Sequence, residues 1–147
     1  MYQRILVATD GSTLSKKAVS SAIAMAALMD AELVALKVVP RYPQSYFEGG
    51  LAVQASEISR VEKQWVDHGQ AIVNAVQKTA ESKGVKTKAV TVKSDLVSDA
   101  VIATAKKHKC DLIVMASHGR RGIKRILLGS ETQQVLTHSH IPVLVLR

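Results

Sequence analysis

The sequence predicts an α/β fold, one domain over residues 1–147, built on a doubly wound, five-stranded parallel sheet with helices on both faces. Three observations predict it. Short aliphatic runs alternate with helix-spaced segments from end to end, and right-handed crossovers lay each such helix back over a parallel sheet. The aliphatic runs are nearly continuous, as in strands buried on both faces. A length of 147 residues, 47% hydrophobic and 22% charged, suits one self-sufficient core.

The first strand is Arg4–Thr9, closed by Asp10-Gly11-Ser12, a turn signal that also caps a helix. From Leu14 to Met29 the residues Ala18, Val19, Ala22, Ile23, Ala26 and Ala27 recur at helical spacing, and their small size implies close packing on the sheet. Leu33–Val39 is the second strand, ended by Pro40. Residues 41–51, with Pro43, Gly49 and Gly50 beside Tyr42, Tyr46 and Phe47, have loop chemistry and are expected to be mobile. Val53 to Ser82 is a long amphipathic helix through Ile58, Val61, Trp65, Ile72, Val73 and Val76, ended by Lys83-Gly84. Then follow a strand at Ala89–Val92, a helix at Val97–His108, a strand at Leu112–Ala116, a short helix at Ser130–Thr137 and a strand at Val143–Leu146 after Pro142.

Several classes fall away on composition. The apolar stretches are far shorter than the roughly 20 residues that cross a bilayer, and Ile5 to Ala8 follow the first residues without a leader pattern. A soluble, cytoplasmic protein without membrane contact is therefore expected. The single cysteine, Cys110, excludes an internal disulfide, fits a reducing compartment and adjoins an apolar run, as a buried structural thiol would. The net charge of +8 invites a nucleic-acid reading. Against it, Lys16, Lys17, Lys63, Lys78, Lys106 and Lys107 are spread thinly, and aromatics for base stacking are 3% of the chain. Nucleic acid is therefore not expected as a partner, and one tight basic cluster stands out: Arg120, Arg121, Lys124 and Arg125.

Catalytic signatures are missing as well. Neighbouring Ser117 and His118 do not make a nucleophile elbow, the five histidines form no H-E-x-x-H pattern, and neither G-x-G-x-x-G nor a P-loop follows the first strand. No catalytic or metal-ligating residue of the chain's own is assigned.

A doubly wound sheet binds ligands at the carboxyl ends of its strands, where the connection order reverses. That rule selects Thr9-Asp10-Gly11, Val38-Val39-Pro40 and the segment from Ser117 to Gly129. In the last of these, glycines let backbone N–H groups approach an anion, and Gly129-Ser130-Glu131-Thr132 offers helix-start amides with two hydroxyls. A phosphate fits there. Equally, Gly119 and Gly122 serve as turns, Ser130 as an N-cap with Glu131 in the first turn, and the basic cluster as a solvated face. The residues by themselves leave both readings open.

Taken together, the opening Ile5-Leu6-Val7-Ala8-Thr9-Asp10-Gly11-Ser12 and the closing Ser117-His118-Gly119, Leu127-Leu128-Gly129-Ser130 and Pro142-Val143-Leu144-Val145 resemble the universal stress protein A family. The resemblance covers essentially the whole chain. It implies a Rossmann-like sheet of order 3-2-1-4-5, related to adenine-nucleotide alpha hydrolases. Nucleotide-binding members carry Gly-x2-Gly-x9-Gly followed by Ser or Thr; Gly119, Gly129 and Ser130 match, while Ala116 replaces the first glycine.

The resemblance further implies ATP as the ligand, with Mg²⁺ or Mn²⁺ held mainly by phosphates. Asp10 and Val38 would lie by the adenine, and Ala8 and Thr9 by the ribose. Gly119, Gly129, Ser130, Glu131 and Thr132 would hold phosphates, with Met115, Ala116 and His118 completing the set. Each also has a plain structural role on offer, Asp10 as a turn cap and Val38 as core. Members pair their last strands, so a homodimer through Val143–Leu146, an apolar edge, is expected. The implied function is that of an ATP-binding stress-response regulator acting through nucleotide-dependent dimer or partner contacts, at most a slow ATPase. The alternative, motivated by Ala116, is a dimeric interaction module that binds no nucleotide.

Overall fold

In the computed structural model, which describes residues 1–43, 54–119 and 128–147, strands and helices alternate as the patterning predicts. They are β1 (Arg4–Ala8), α1 (Thr13–Met29), β2 (Glu32–Val39), α2 (Ala55–Ser82), β3 (Thr87–Lys93), α3 (Val97–Lys107), β4 (Leu112–Ala116), α4 (Ser130–His138) and β5 (Val143–Leu146). All strand pairs are parallel, in the order β3-β2-β1-β4-β5. The chain thus winds outward from β1 to β3, crosses back, and winds outward again through β4 and β5. Most of the loop expected at 41–51, and the basic cluster Arg120, Arg121, Lys124 and Arg125, lie outside the described residues.

Strand alternation sorts the core into two layers. Ile5, Val7, Leu33, Ala35 and Val114 share one buried cluster with residues of α1 and α2, while Leu6, Val34, Leu36, Ile113 and Met115 share the other with α3 and α4. Ala18, Ala22 and Ala26 are fully buried beside Ile23, so mostly small side chains lie between α1 and the sheet. On α2 every buried residue, Gly69, Val73, Val76 and Ala80, falls in the second half. A Cβ at Gly69 would stand 2.9 Å from Val39 Cγ2 and 3.0 Å from Lys37 Cγ. Gly69→Val should therefore lower stability by about 1–3 kcal/mol despite valine's better helix propensity, a loss that urea unfolding will measure.

Strand three is longer than its apolar stretch predicts. Thr87 through Lys93 all pair with β2, because a ladder needs backbone and not hydrophobicity. Its outer edge is guarded by α2: Gln77 Nε2 donates to the Thr87 carbonyl at 2.9 Å and Gln70 Nε2 to the Ala89 carbonyl at 3.4 Å. These carbonyls are the ones the ladder with β2 leaves unpaired.

At the amino edge, Asp111 accepts from the backbone N–H groups of Gln3 and Arg4 at 2.8 and 3.0 Å, tying the start of β1 to the start of β4. Arg4 pairs with Glu32 at 2.8 Å. That hydrogen bond, with the nearby Lys86, holds the Glu32 carboxyl below its usual 4.5. The pair's stabilisation is present above that value and fades as pH falls through the lowered one. Cys110 is buried, and burial pushes its thiol up to about 11, so it stays protonated and packs as an apolar group.

Candidate functional site

The carboxyl ends of β1 and β4, adjacent strands leading into different crossovers, form the switch point. Three local structures meet there. The first is the turn into α1. Ser12 is the N-cap and its hydroxyl accepts from Ser15 N–H at 3.2 Å, while Asp10 Oδ1 accepts from Ser12 N–H at 2.9 Å. Gly11 makes the turn with φ of 80°, which favours glycine. Thr9 is buried, its Oγ1 lying 3.0 Å from Ser15 Oγ and accepting from Gly11 N–H at 3.2 Å. Asp10 and Thr9 therefore organise this turn, whatever else they bind.

The second is the end of β4. Ser117 is 1% exposed and acts as a junction: its N–H donates to the Leu146 carbonyl and its carbonyl accepts from Gly129 N–H, each at 2.7 Å. β4, β5 and α4 are joined at this one residue. Ser117 Oγ lies 3.1 Å from His118 Nδ1. Gly119 then passes so close to the first turn that a Cβ on it would stand 2.5 Å from Asp10 Oδ2. A side chain at 119 therefore fits only if the Asp10 carboxylate turns away.

The third is the start of α4. Gly129 is the N-cap, extended at φ −69°, and as glycine it brings no capping side chain of its own. Ser130 hence sits one residue inside the helix rather than capping it, and its hydroxyl donates to Glu131 Oε2 at 3.0 Å. Thr132 is turned inward, 2% exposed, donating to the Ala116 carbonyl at 3.0 Å. Of the two hydroxyls expected at this helix start, one is thus engaged in the core. A helix leaves its first N–H groups without internal partners, and here the N-cap glycine supplies no side chain to those of Ser130, Glu131 and Thr132. Gly129 N–H, by contrast, is taken by Ser117.

The apolar members of the predicted set divide between the layers. Ala8, Val38 and Met115 belong to the cluster on the α3 and α4 face, so they share one face of the sheet at its carboxyl end. The Val38 carbonyl accepts from Lys37 Nζ at 2.8 Å. Ala116 instead packs its methyl into the opposite cluster, with Ala18 and Ala22 of α1. A separate cavity of about 1050 Å³ opens on the α2 face, lined by Lys37, Tyr42, Glu62, Trp65 and His68 among others. Val39 and Pro40, from the selected strand end after β2, line it, but none of the residues assigned to the nucleotide does.

Two residues of the site were missing from the sequence reading. Ser15 is buried and also donates to the Ser12 carbonyl at 2.9 Å; its spacing three after Ser12 is the available signal. Ser117 entered the sequence reading as the start of the strand-end segment and as a discarded nucleophile, and its bridging of three elements has no local signature. Among the described residues no group of three acidic, histidine or cysteine side chains is placed to hold a metal ion, and no helix is long and apolar enough to cross a membrane.

Comparison with known proteins gives a consistent picture. The model of the Universal stress protein family matches residues 1–147. Universal stress protein MJ0531 of Methanocaldococcus jannaschii is 36% identical over 147 residues, covering 100% of this chain and 83% of that protein. Universal stress protein YxiE of Bacillus subtilis is 30% identical over 149 residues, with both chains fully covered. Among solved structures, MJ0577 of Methanocaldococcus jannaschii superposes with a TM-score of 0.82 at 26% identity, covering 99% of this chain and 96% of that one. A universal stress protein solved in complex with cAMP superposes with a TM-score of 0.71 at 28% identity, covering 99% and 97%.

Proposed function

The chain belongs to the universal stress protein family, and from that premise we propose that it binds ATP at the β1–β4 switch point and acts as a stress-response regulator through nucleotide-dependent dimer or partner contacts. The observation that carries this reading is the start of α4: an extended glycine as N-cap that brings no side chain to the first amides, following a segment whose Gly119 closely approaches Asp10. Helix-start amides and the positive end of the helix dipole favour phosphate at such a place. The amides of Ser130, Glu131 and Thr132, with the Ser130 hydroxyl, would hold phosphates. Ala8, Val38 and Met115 would floor the nucleoside, beside Asp10 and Thr9. His118 and Gly119 stand between these two groups. Adenine-nucleotide chemistry is supported by the related universal stress protein solved with cAMP.

Glu131 bears on the metal. Its carboxylate lies in the first turn, pinned by Ser130, and would repel a bare triphosphate. A divalent ion, Mg²⁺ or Mn²⁺ held mainly by the phosphates, offsets that repulsion. The residues assign no hydrolytic machinery.

Ala116 motivates the competing reading of a nucleotide-free module, and its place in the core counts against that reading. The methyl lies under α1, on the face of the sheet away from α4. Ala116→Gly should therefore change ATP affinity by less than about threefold, or roughly 0.6 kcal/mol, whereas a tenfold gain would show that the methyl obstructs the ligand.

Isothermal titration of ATP with Mg²⁺ tests the main proposal. Saturable binding is the expected result, and a flat trace up to about 1 mM ligand overturns it. For the regulatory contacts, β5 is the sheet's last strand and all four of its residues are half-buried. Pairing with a second copy would cover that edge. Light scattering with and without ATP reads the homodimer directly.

A further inference from the structure

The amino edge of the sheet, opposite the proposed nucleotide site, gathers cations that lie far apart in the chain. Glu32 at the start of β2 bridges Arg4 of β1 and Lys86 just before β3, at 2.8 and 3.4 Å. Arg4 Nη1 also donates to the His108 carbonyl at 2.7 Å, at the C-cap of α3. The His108 ring is held below the usual imidazole range by burial and then by the charges of Lys88, Lys107 and Arg4. The bonds of Arg4 to the His108 carbonyl and to Glu32, which also reaches Lys86, bring the start of β3 and the end of α3 to one corner. Lys86, Lys88, Lys106, Lys107 and Lys109 are all exposed there. Glu32 is engaged by Arg4 and Lys86 and Asp111 by two backbone N–H groups, while Asp30 and Glu81, at the ends of α1 and α2 that lead into the same edge, are exposed.

We propose that this lysine corner docks the phosphate backbone of duplex nucleic acid. Its lysines, with Arg4, outnumber the carboxylates at that edge, and lysine ammonium groups on flexible stems suit a regular array of phosphates. Other occupants fit less well. Residues 86–88 and 106–109 include no Phe, Tyr or Trp on which single-stranded bases could stack. They carry no large apolar side chain either, so a bilayer would gain charge attraction without insertion. Addition of a peptide strand to β3 is obstructed by Gln70 and Gln77, which occupy its outward carbonyls. The net charge of +8 adds long-range steering toward a polyanion. The contact is with phosphates and carries no sequence preference.

Fluorescence anisotropy of the full chain with a labelled DNA duplex, titrated across salt, tests this. Wild type should bind at low salt, with log K falling linearly with log salt by about 0.9 per phosphate contacted. In K88Q/K106Q/K107Q the slope should shallow by about 2.7 and affinity at low salt should drop more than about tenfold. The control K16Q/K17Q/K78Q removes the same charge from exposed sites on α1 and α2. It should stay within about threefold of wild type, since placement and not net charge sets the contact. Equal losses in the two triples, or no wild-type binding at low salt, overturn the proposal. So does binding to vesicles of phosphatidylglycerol and phosphatidylcholine without binding to the duplex. All six lysines are exposed, so thermal melts of both triples should match wild type and folding does not confound the result.

Discussion

Gly119→Val is expected to reduce ATP affinity by more than about 100-fold, a loss of roughly 2.7 kcal/mol. A Cβ at this position would stand 2.5 Å from Asp10 Oδ2, a separation that real Cβ atoms do not keep. One partner must move. Asp10 is held by Ser12 N–H at the start of α1, so displacing it disturbs both the turn after β1 and the segment after β4. The proposed site needs those two segments in register, with the phosphate end at α4 and the nucleoside floor at Ala8 and Val38. Gly129→Ala makes the graded comparison. Its Cβ would meet His118 Cα and Cβ at 3.3 Å, which asks for a shift of a few tenths of an ångström, and a several-fold loss is expected. Titration calorimetry on both variants, with thermal melts to follow folding, decides the matter. Wild-type ATP affinity in a folded Gly119→Val protein would place the nucleotide elsewhere.

Leu6→Ala should have the largest effect on stability, about 3–4 kcal/mol, with a fall in Tm of roughly 10 °C. Leu6 lies on the central strand, fully buried, in the cluster with Val34, Leu36, Val101 and Ile113. Neighbours on flanking strands and on α3 cannot all collapse onto the space vacated, so the cavity cost adds to the lost transfer energy. Leu28→Ala on α1 is the matched control: that side chain is 88% exposed, and a change within about 0.5 kcal/mol is expected. Differential scanning calorimetry of both proteins reads the contrast.

Much of the fold was legible along the chain because strand burial on both faces and helix amphipathicity are local patterns. Leu112–Ala116 and Val143–Leu146 were read with their observed bounds. Thr87, Lys88 and Lys93 were not seen as strand, since threonine and lysine on an edge break the apolar run while their backbones still pair. The site was legible in outline through the glycines and through the rule placing ligands at strand ends. Its inner allocation was not. Thr132 and Ser130 look alike as hydroxyls at a helix start, yet one is buried against the Ala116 carbonyl and the other lies on the surface beside Glu131.

The lysines make the same point at the other edge. Lys106 and Lys107 read as a solvated helix end, and Lys86 and Lys88 as ordinary flanks of a strand. Only the tertiary contacts of Arg4 with the His108 carbonyl and with Glu32, which also holds Lys86, bring the end of α3 and the start of β3 together.

By itself, then, the sequence determined the element order, the two apolar layers and the family to which the chain belongs, because periodicity and short motifs are properties of neighbours in the chain. Tertiary structure decided which polar groups are consumed inside the protein, which layer receives Ala116 and which charges share a corner. Those outcomes depend on hydrogen bonds, packing and Coulomb interactions that act over a few ångströms of space, between residues as far apart in the chain as Arg4 and His108.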